Sequence, residues 1–336
     1  MSERTRSKII LIVSALLAAN VALWLSVLLA VHSFPFLLAT GLLAFGFGLR
    51  HAVDADHISA IDNTTRKLMN EGQRPVGVGF FFSLGHSTIV ILLCAALALS
   101  TAYVQKHLPA WHALGGTVGT IVSGVFLYLI GIINLTVLID LIKTARALSR
   151  GEIVGDDRIE AMLRQRGLLG RLFKPLLGMV RRSSQMYFIG FLFGLGFDTA
   201  TEVGILAVSA RSAQLSIPFW AVMLLPLLFT AGMCLIDTLD GIFMVGAYGW
   251  SFIRPARKVY YNVAITGLSV LLALGVGTLE LLQMAAQSLP VRGAFWSYVD
   301  ALSLSSLGYM IIAAFAAAWA AAALFSRLAD RRSRPA

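Results

Sequence analysis

The chain has 336 residues, 58% of them hydrophobic and 13% charged, with a formal net charge of +10 and a mean hydropathy of +0.80. That balance excludes an ordinary soluble domain, in which about 25% of residues are charged. No GxxxxGK[ST] loop and no CxxC pair occurs, which excludes nucleotide hydrolysis through that loop and a disulfide framework.

Apolar runs long enough to cross a bilayer recur along the whole chain and predict eight transmembrane helices. The first, about 9–32, is too long for a signal-peptide core and no small-residue cleavage site follows it, so it reads as a retained span. The second, about 36–61, carries "LRHAVDADHISAIDN" across its end, with Arg50, His51, Asp54, Asp56 and His57 close together. On a continuous helix, His51, Asp54 and His57 fall on one stripe and Asp56 falls off it. A charge inside a membrane costs roughly 2.5–3.5 kcal/mol even on lenient insertion scales. Imidazole plus carboxylate suits a borderline divalent metal such as nickel, cobalt or zinc. The plainer alternative is a polar patch with Arg50 paired to Asp54. Two histidines and two carboxylates in seven residues favour the metal.

Residues 62–75 read as a basic loop. The third span, about 76–101, brings His86 within "FSLGHSTIV", which alone could equally serve close helix packing at Gly85. The fourth, about 117–142, holds Asn134 and Asp140, read as interhelical bonding and interface positions. Ten Lys and Arg crowd the loop 143–184, where "DDRIEAMLRQRGLLGRLF" reads as an amphipathic helix on the membrane surface. In the fifth span, about 185–210, "GFDTATEVG" sets Asp198 and Glu202 one turn apart. In the sixth, about 217–248, "GMCLIDTLDG" places Met233, Asp237 and Asp240 on one face. Those acids could line a cation path, whereas a methionine at helical spacing is more often packing. The seventh and eighth spans, about 259–286 and 303–326, add only Glu280, an interface position.

A basic protein thus has an acidic interior: six carboxylates and three histidines against Arg50, the one cation placed inside a span. That interior asks for a cation. Of 27 Lys and Arg, 23 lie in the N-terminal tail, the loops 62–75, 143–184 and 249–258, and the C-terminal tail. The asymmetry places both termini in the cytoplasm. It also explains the high charge without nucleic acid, since no recognisable binding module accompanies it.

A weak internal repeat supports a transporter. At an offset of 148, Gly48, Ala52 and Asp54 meet Gly196, Ala200 and Glu202; at 147, "FSLGH" meets "FTAGM". Spans 2–4 and 5–7 would then be inverted copies, flanked by spans 1 and 8. Inverted repeats with midplane polar sites mark secondary transporters. From the residues alone, the reading stops at a secondary transporter of a borderline divalent cation.

The four motifs "RHAVDADHI", "LGHSTIV", "FDTATE" and "GMCLIDTLD" are similar to the signatures of the nickel/cobalt transporter family. The resemblance implies an eight-span, multi-pass permease of the inner (cytoplasmic) membrane, moving Ni2+ or Co2+. Uptake would be driven by the membrane potential or a proton gradient. His51, Asp54, Asp56 and His57 match its principal metal motif. His86, Asp198, Glu202, Asp237 and Asp240 match its other polar positions. No cofactor and no ATPase subunit is implied, the metal being substrate. Efflux is the alternative within the family. From another class comes an intramembrane metal-dependent enzyme, which three membrane histidines and the lack of HExxH disfavour.

Overall fold

The structure is a computed structural model that describes residues 3–99, 101–150, 180–196, 205, 217–251, 259–289, 293–302, 304, 306–314 and 317. Among these residues the elements are all helical: α1 (Glu3–Val31), α2 (Phe36–His51), α3 (Ala55–Asn70), α4 (Val78–Leu99) and α5 (Thr101–Ser149), then α6 (Met186–Phe193), α7 (Phe219–Ser251), α8 (Val259–Ser288) and α9 (Ala294–Ala301). Short 3-10 turns, Ser183–Gln185 and Gly194–Gly196, flank α6. Residues 306–314 are also helical. Five helices are long and apolar enough to cross a membrane, and the bent pair α2–α3 makes a sixth if it is one span.

The second expected span is not one helix. α2 stops at His51, and α3 starts at Ala55, bent by 52°. The break has an identifiable cause. Asp54 stands at the N-cap of α3 with extended backbone, φ −66° and ψ 146°, yet makes no side-chain capping bond. Asp is a favoured N-cap because its carboxylate can accept the orphan N–H groups of the first turn. Here that carboxylate is turned toward His51 instead. Backbone polar groups freed at such a break cannot face lipid, so protein must cover them. Gly308 does so, lying directly on the Val53 carbonyl.

The helix continues through residues 62–70, where the sequence predicts a loop. α3 is also wrapped by protein: every residue from Ala55 to Asn70 except Asp56 is buried. Arg66 and Lys67, placed in that loop from the sequence, are therefore interior cations. Lys67 Nζ donates to the Val180 carbonyl and lies 3.5 Å from Glu71. Arg50, expected as the buried cation, is exposed. A second departure is α5, continuous over 49 residues where residues 102–116 read as a loop. Hydropathy marks where a helix meets lipid, and helix propensity carries it further.

α7 is the organising helix, packed against α1, α2, α3 and α4, while α8 lies along α5 and α6 along α4. Several of these contacts are backbone to backbone, among them Gly79 of α4 on the Asp237 carbonyl of α7. A Cβ at Gly48 or Gly232 would collide with the Phe229 or Phe45 carbonyl, which brings α2 onto α7. A Cβ at Gly85 or Gly190 would collide with the Tyr187 or Phe82 carbonyl, which brings α4 onto α6. Small residues permit this approach in membranes, where helices gain from packing rather than from expelling water. α1 is peripheral; Leu11, Leu28 and Leu29 are 58–82% exposed, presenting an apolar face to lipid. Of the fifth expected span, α6 is its start, and of the eighth, residues 304, 306–314 and 317 are described.

Candidate metal site

Three histidines converge where α2 breaks. His51 is the last residue of α2, His57 lies in the first turn of α3, and His86 is midway along α4. All are buried, at 0–3% exposure. Their ring centroids are 4.6–4.9 Å apart, and one ligand atom from each can be chosen so that all lie within 4.8 Å of one another. His51 Nε2 and His86 Nε2 are 3.0 Å apart. His51 and His57 do meet, as a continuous helical stripe predicts, but it is the bend that brings His57 back toward His51.

Carboxylates sit behind two of the three rings. His51 Nδ1 lies 3.0 Å from Asp54 Oδ2, and His57 Nδ1 lies 3.1 Å from Asp237 Oδ2 on α7. Ser83 Oγ donates to that same Asp237 oxygen at 2.6 Å. With Asp54 and Asp237 accepting, Nδ1 of His51 and of His57 carries the proton and their Nε2 atoms present lone pairs, so across the 3.0 Å contact His86 Nε2 donates to His51 Nε2. His57 Nε2 has no hydrogen-bond partner. Phe82 stacks edge-on against His57 with centroids 4.8 Å apart, and Phe229 flanks His51 at 5.7 Å. The pocket of lone pairs is therefore walled by aromatic rings.

One ion would draw this array together, since atoms bound to one metal at ~2.1 Å are at most ~4.2 Å apart and the trio spans up to 4.8 Å. Metal–imidazole bonds of ~2.0–2.1 Å at tetrahedral or octahedral angles put neighbouring ligand atoms about 2.8–3.4 Å apart. The 3.0 Å between His51 and His86 falls in that range. Metal-bound histidines commonly donate their other N–H to a carboxylate, which fixes tautomer and orientation. Asp54 and Asp237 occupy that position here.

Of the nine residues read as metal-binding, His51, Asp54, His57, His86 and Asp237 come together. Asp56 lies within electrostatic range of His57, with Oδ1 unpartnered. Asp240 is within range of Asp237 and of Asp62, one turn further along α7. Asp198 and Glu202 lie outside the described residues. The site joins distant parts of the chain, because the His57–Asp237 contact spans 180 residues. Met233, open in the sequence between a cation path and packing, is buried and joins an apolar cluster.

Sequence reasoning missed Ser83 and the polar side of α3 beyond His57. Asn63 Oδ1 and its carbonyl both accept from Asn134 Nδ2, at 2.7 and 3.3 Å; Asn63 Nδ2 donates to the Ser269 carbonyl. Tyr248 Oη donates to Asp62. A signal was present. Asp62, Asn63 and Arg66 recur at helical spacing, which an amphipathic helix shares with no typical loop.

The family described as "High-affinity nickel-transport protein" matches residues 37–325. The chain is 45% identical over 327 residues to the high-affinity nickel transport protein of Cupriavidus necator, covering 97% of this chain and 93% of that one. It is 46% identical over 301 residues to the nickel transporter NixA of Staphylococcus aureus, covering 89% of each. The cobalt transport protein NhlF of Rhodococcus rhodochrous is 42% identical over 304 residues, covering 88% of this chain and 85% of that one. No solved structure matches.

Proposed function

The chain belongs to the high-affinity nickel-transport protein family, and from that membership we propose a permease that takes up Ni2+, with Co2+ as a second substrate. It is a transporter and not an enzyme, like its named relatives. The observation that carries the reading is the trio of buried imidazoles with ligand atoms within 4.8 Å. His51, His57 and His86 would hold the ion through Nε2, with Asp54 and Asp237 orienting the rings. Asp56, Asp198, Glu202 and Asp240 would supply the remaining negative charge along its path. The imidazole-rich set favours nickel over cobalt by the Irving–Williams order.

Moving a unit charge through the membrane potential is worth ≈ 2.3 kcal/mol per 100 mV. A divalent ion entering a negative interior thus gains about 4.6 kcal/mol per 100 mV, over three decades of concentration. No nucleotide hydrolysis is needed for that, and the ion direction follows the potential. Uptake of radiolabelled nickel in whole cells tests this: it should exceed that of cells lacking the gene, be reduced by excess cobalt and collapse with an uncoupler. Accumulation unaffected by the uncoupler sinks secondary transport, and nickel loss from preloaded cells would favour efflux.

The glycine contacts support an inverted repeat of spans 2–4 and 5–7. Gly48 on Phe229 corresponds to Gly190 on Phe82, and Gly232 on Phe45 corresponds to Gly85 on Tyr187. These pairs keep the offset of 147 for the third and sixth spans, but give 142 instead of 148 for the second and fifth. In that register the α2–α3 break at residues 52–54 meets the 3-10 turn Gly194–Gly196, and Asp56 meets Asp198. With the flanking apolar runs this repeat makes eight spans, and the Lys and Arg asymmetry puts both termini in the cytoplasm. A reporter fused after Gly155 should read cytoplasmic and one after Gln287 the outer side; the reverse pattern removes the orientation.

A further inference from the structure

α4 meets α7 closely two turns before His86. A Cβ on Gly79 would collide with the Asp237 carbonyl, so the two helices touch there through their backbones. Ser83 lies one turn further along α4. Its Oγ is 2.6 Å from Asp237 Oδ2 and 2.9 Å from the Gly79 carbonyl oxygen. Ser83 and Asp237 are 0% and 1% exposed. The Cys234 thiol is also within reach of this hydroxyl but is a weak acceptor. The same Asp237 oxygen faces His57 Nδ1 at 3.1 Å, whereas Oδ1 has no hydrogen-bond partner. Two donors therefore crowd one oxygen of a buried carboxylate and leave the other idle.

That sharing has a chemical consequence. A carboxylate behind a metal-binding imidazole raises the basicity of the ring nitrogen that faces the metal. The Ser83 hydroxyl draws charge from the oxygen that does this, so His57 Nδ1–H meets a weaker acceptor than Asp237 alone would offer. The hydroxyl has one hydrogen and two oxygens that can take it. A serine inside a helix readily donates to the carbonyl four residues back. Rotation about the Ser83 C–O bond moves the hydrogen from Asp237 to Gly79 without leaving a buried donor unsatisfied. Ser83 can thus strengthen or relax the acid behind His57 while every heavy atom stays in place.

Resting on the reading that His57 holds the metal, we infer that Ser83 is a positioning residue that moderates how tightly the ion is held. Gly79 sets its distance from Asp237 by letting α4 and α7 touch. The hydroxyl then weakens the His57–Asp237 pair and keeps the affinity below what a fully charged acid would give. A site in a transport path has to bind well enough to load and weakly enough to empty. Loss of the hydroxyl therefore raises affinity and slows release, the opposite of what loss of the Asp237 charge does.

Equilibrium dialysis of the purified full-length protein with Ni2+ tests this, together with initial rates of radiolabelled nickel uptake normalised to membrane level. Ser83→Ala removes one oxygen and adds no atom, so the α4–α7 contact at Gly79 is untouched. Loss of an orienting partner lowers metal affinity about 10–100-fold, whereas Ser83→Ala should lower the dissociation constant and the half-saturation concentration by about 3–10-fold. The maximal rate should fall with them. In an Asp237→Asn background the same change should alter neither constant, because the acid through which it acts is gone. A dissociation constant in Ser83→Ala equal to or above the parent's overturns the role of Ser83 and leaves the histidine site intact. An undiminished effect in the Asp237→Asn background overturns it too. A parent that binds no nickel overturns the histidine reading, and the role of Ser83 with it.

Discussion

Replacing His57 or His86 by alanine is expected to abolish nickel uptake, with the protein still present in the membrane. Either change removes one of three imidazoles whose ligand atoms lie within 4.8 Å, and two ligands from the remaining rings cannot hold the ion against water. Both side chains are buried, so each truncation also leaves a cavity and lowers stability. Membrane level, measured by immunoblot, separates that effect from the loss of a ligand. The carboxylate variants are graded. Asp54→Asn and Asp237→Asn leave all three rings in place but weaken the partner that fixes each tautomer. Losses of orienting partners typically reduce metal affinity 10–100-fold, so a raised half-saturation concentration should precede any loss of maximal rate. Parental uptake by His57→Ala or His86→Ala, at comparable membrane level, would falsify the three-histidine site. A carboxylate variant as inactive as the histidine variants would make the acid a direct ligand.

Much of this site is legible in the sequence because membrane burial makes polar residues expensive. His51, Asp54, His57, His86 and Asp237 stand out for that reason, and the structure draws them together. The path from pattern to geometry is less legible. Asp54 reads as one more helical position, whereas it is the extended residue at which the helix breaks. A residue that can cap a helix or bind a histidine gives the same letter in both cases. Arg66 and Lys67 read as loop charges because hydropathy falls after Ile61. Hydropathy reports contact with lipid, and α3 touches almost none, being enclosed by its neighbours. A polar helix inside a bundle therefore resembles a loop on any scale calibrated against the bilayer. The proposed repeat is half legible for a related reason. "FSLGH" and "FTAGM" keep their register through a glycine at a backbone contact. The acidic motifs of the second and fifth spans share composition without sharing position, so composition alone selects an offset that the glycine contacts do not follow.

Alanine or valine at Gly48, Gly85, Gly190 or Gly232 should deplete the protein from the membrane, while alanine at Gly46 or Gly275 should not. At each of the first four, an added Cβ meets a backbone carbonyl of the facing helix: Phe229, Tyr187, Phe82 and Phe45 respectively. A side chain in the way can change rotamer, but a carbonyl inside a helix cannot move without moving the helix. Ordinary overpacking costs about 1–3 kcal/mol, and separating two closely packed helices also sacrifices the packing along the rest of their interface. Against a net stability of about 5–15 kcal/mol, such a change is large. Gly46 and Gly275 have nothing within 4 Å of the added atom. There, alanine should be neutral or stabilising by up to about 1 kcal/mol, since glycine is the poorer helix former. Detergent-solubilised protein assayed by thermal aggregation gives the ranking directly. The proposed two-fold relation adds a sharper demand: Gly48 and Gly190 should be equally sensitive, and so should Gly85 and Gly232. A molecule in which one member of each pair tolerates valine and its counterpart does not would retain close packing but lose the inverted repeat. Equal sensitivity ties the α2–α7 and α4–α6 contacts to one architecture. The His57–Asp237 contact would then bridge the two repeats at the proposed ion site. Rocking one repeat against the other would act directly on that bond, which is how a bundle built this way can expose a single site alternately to either side.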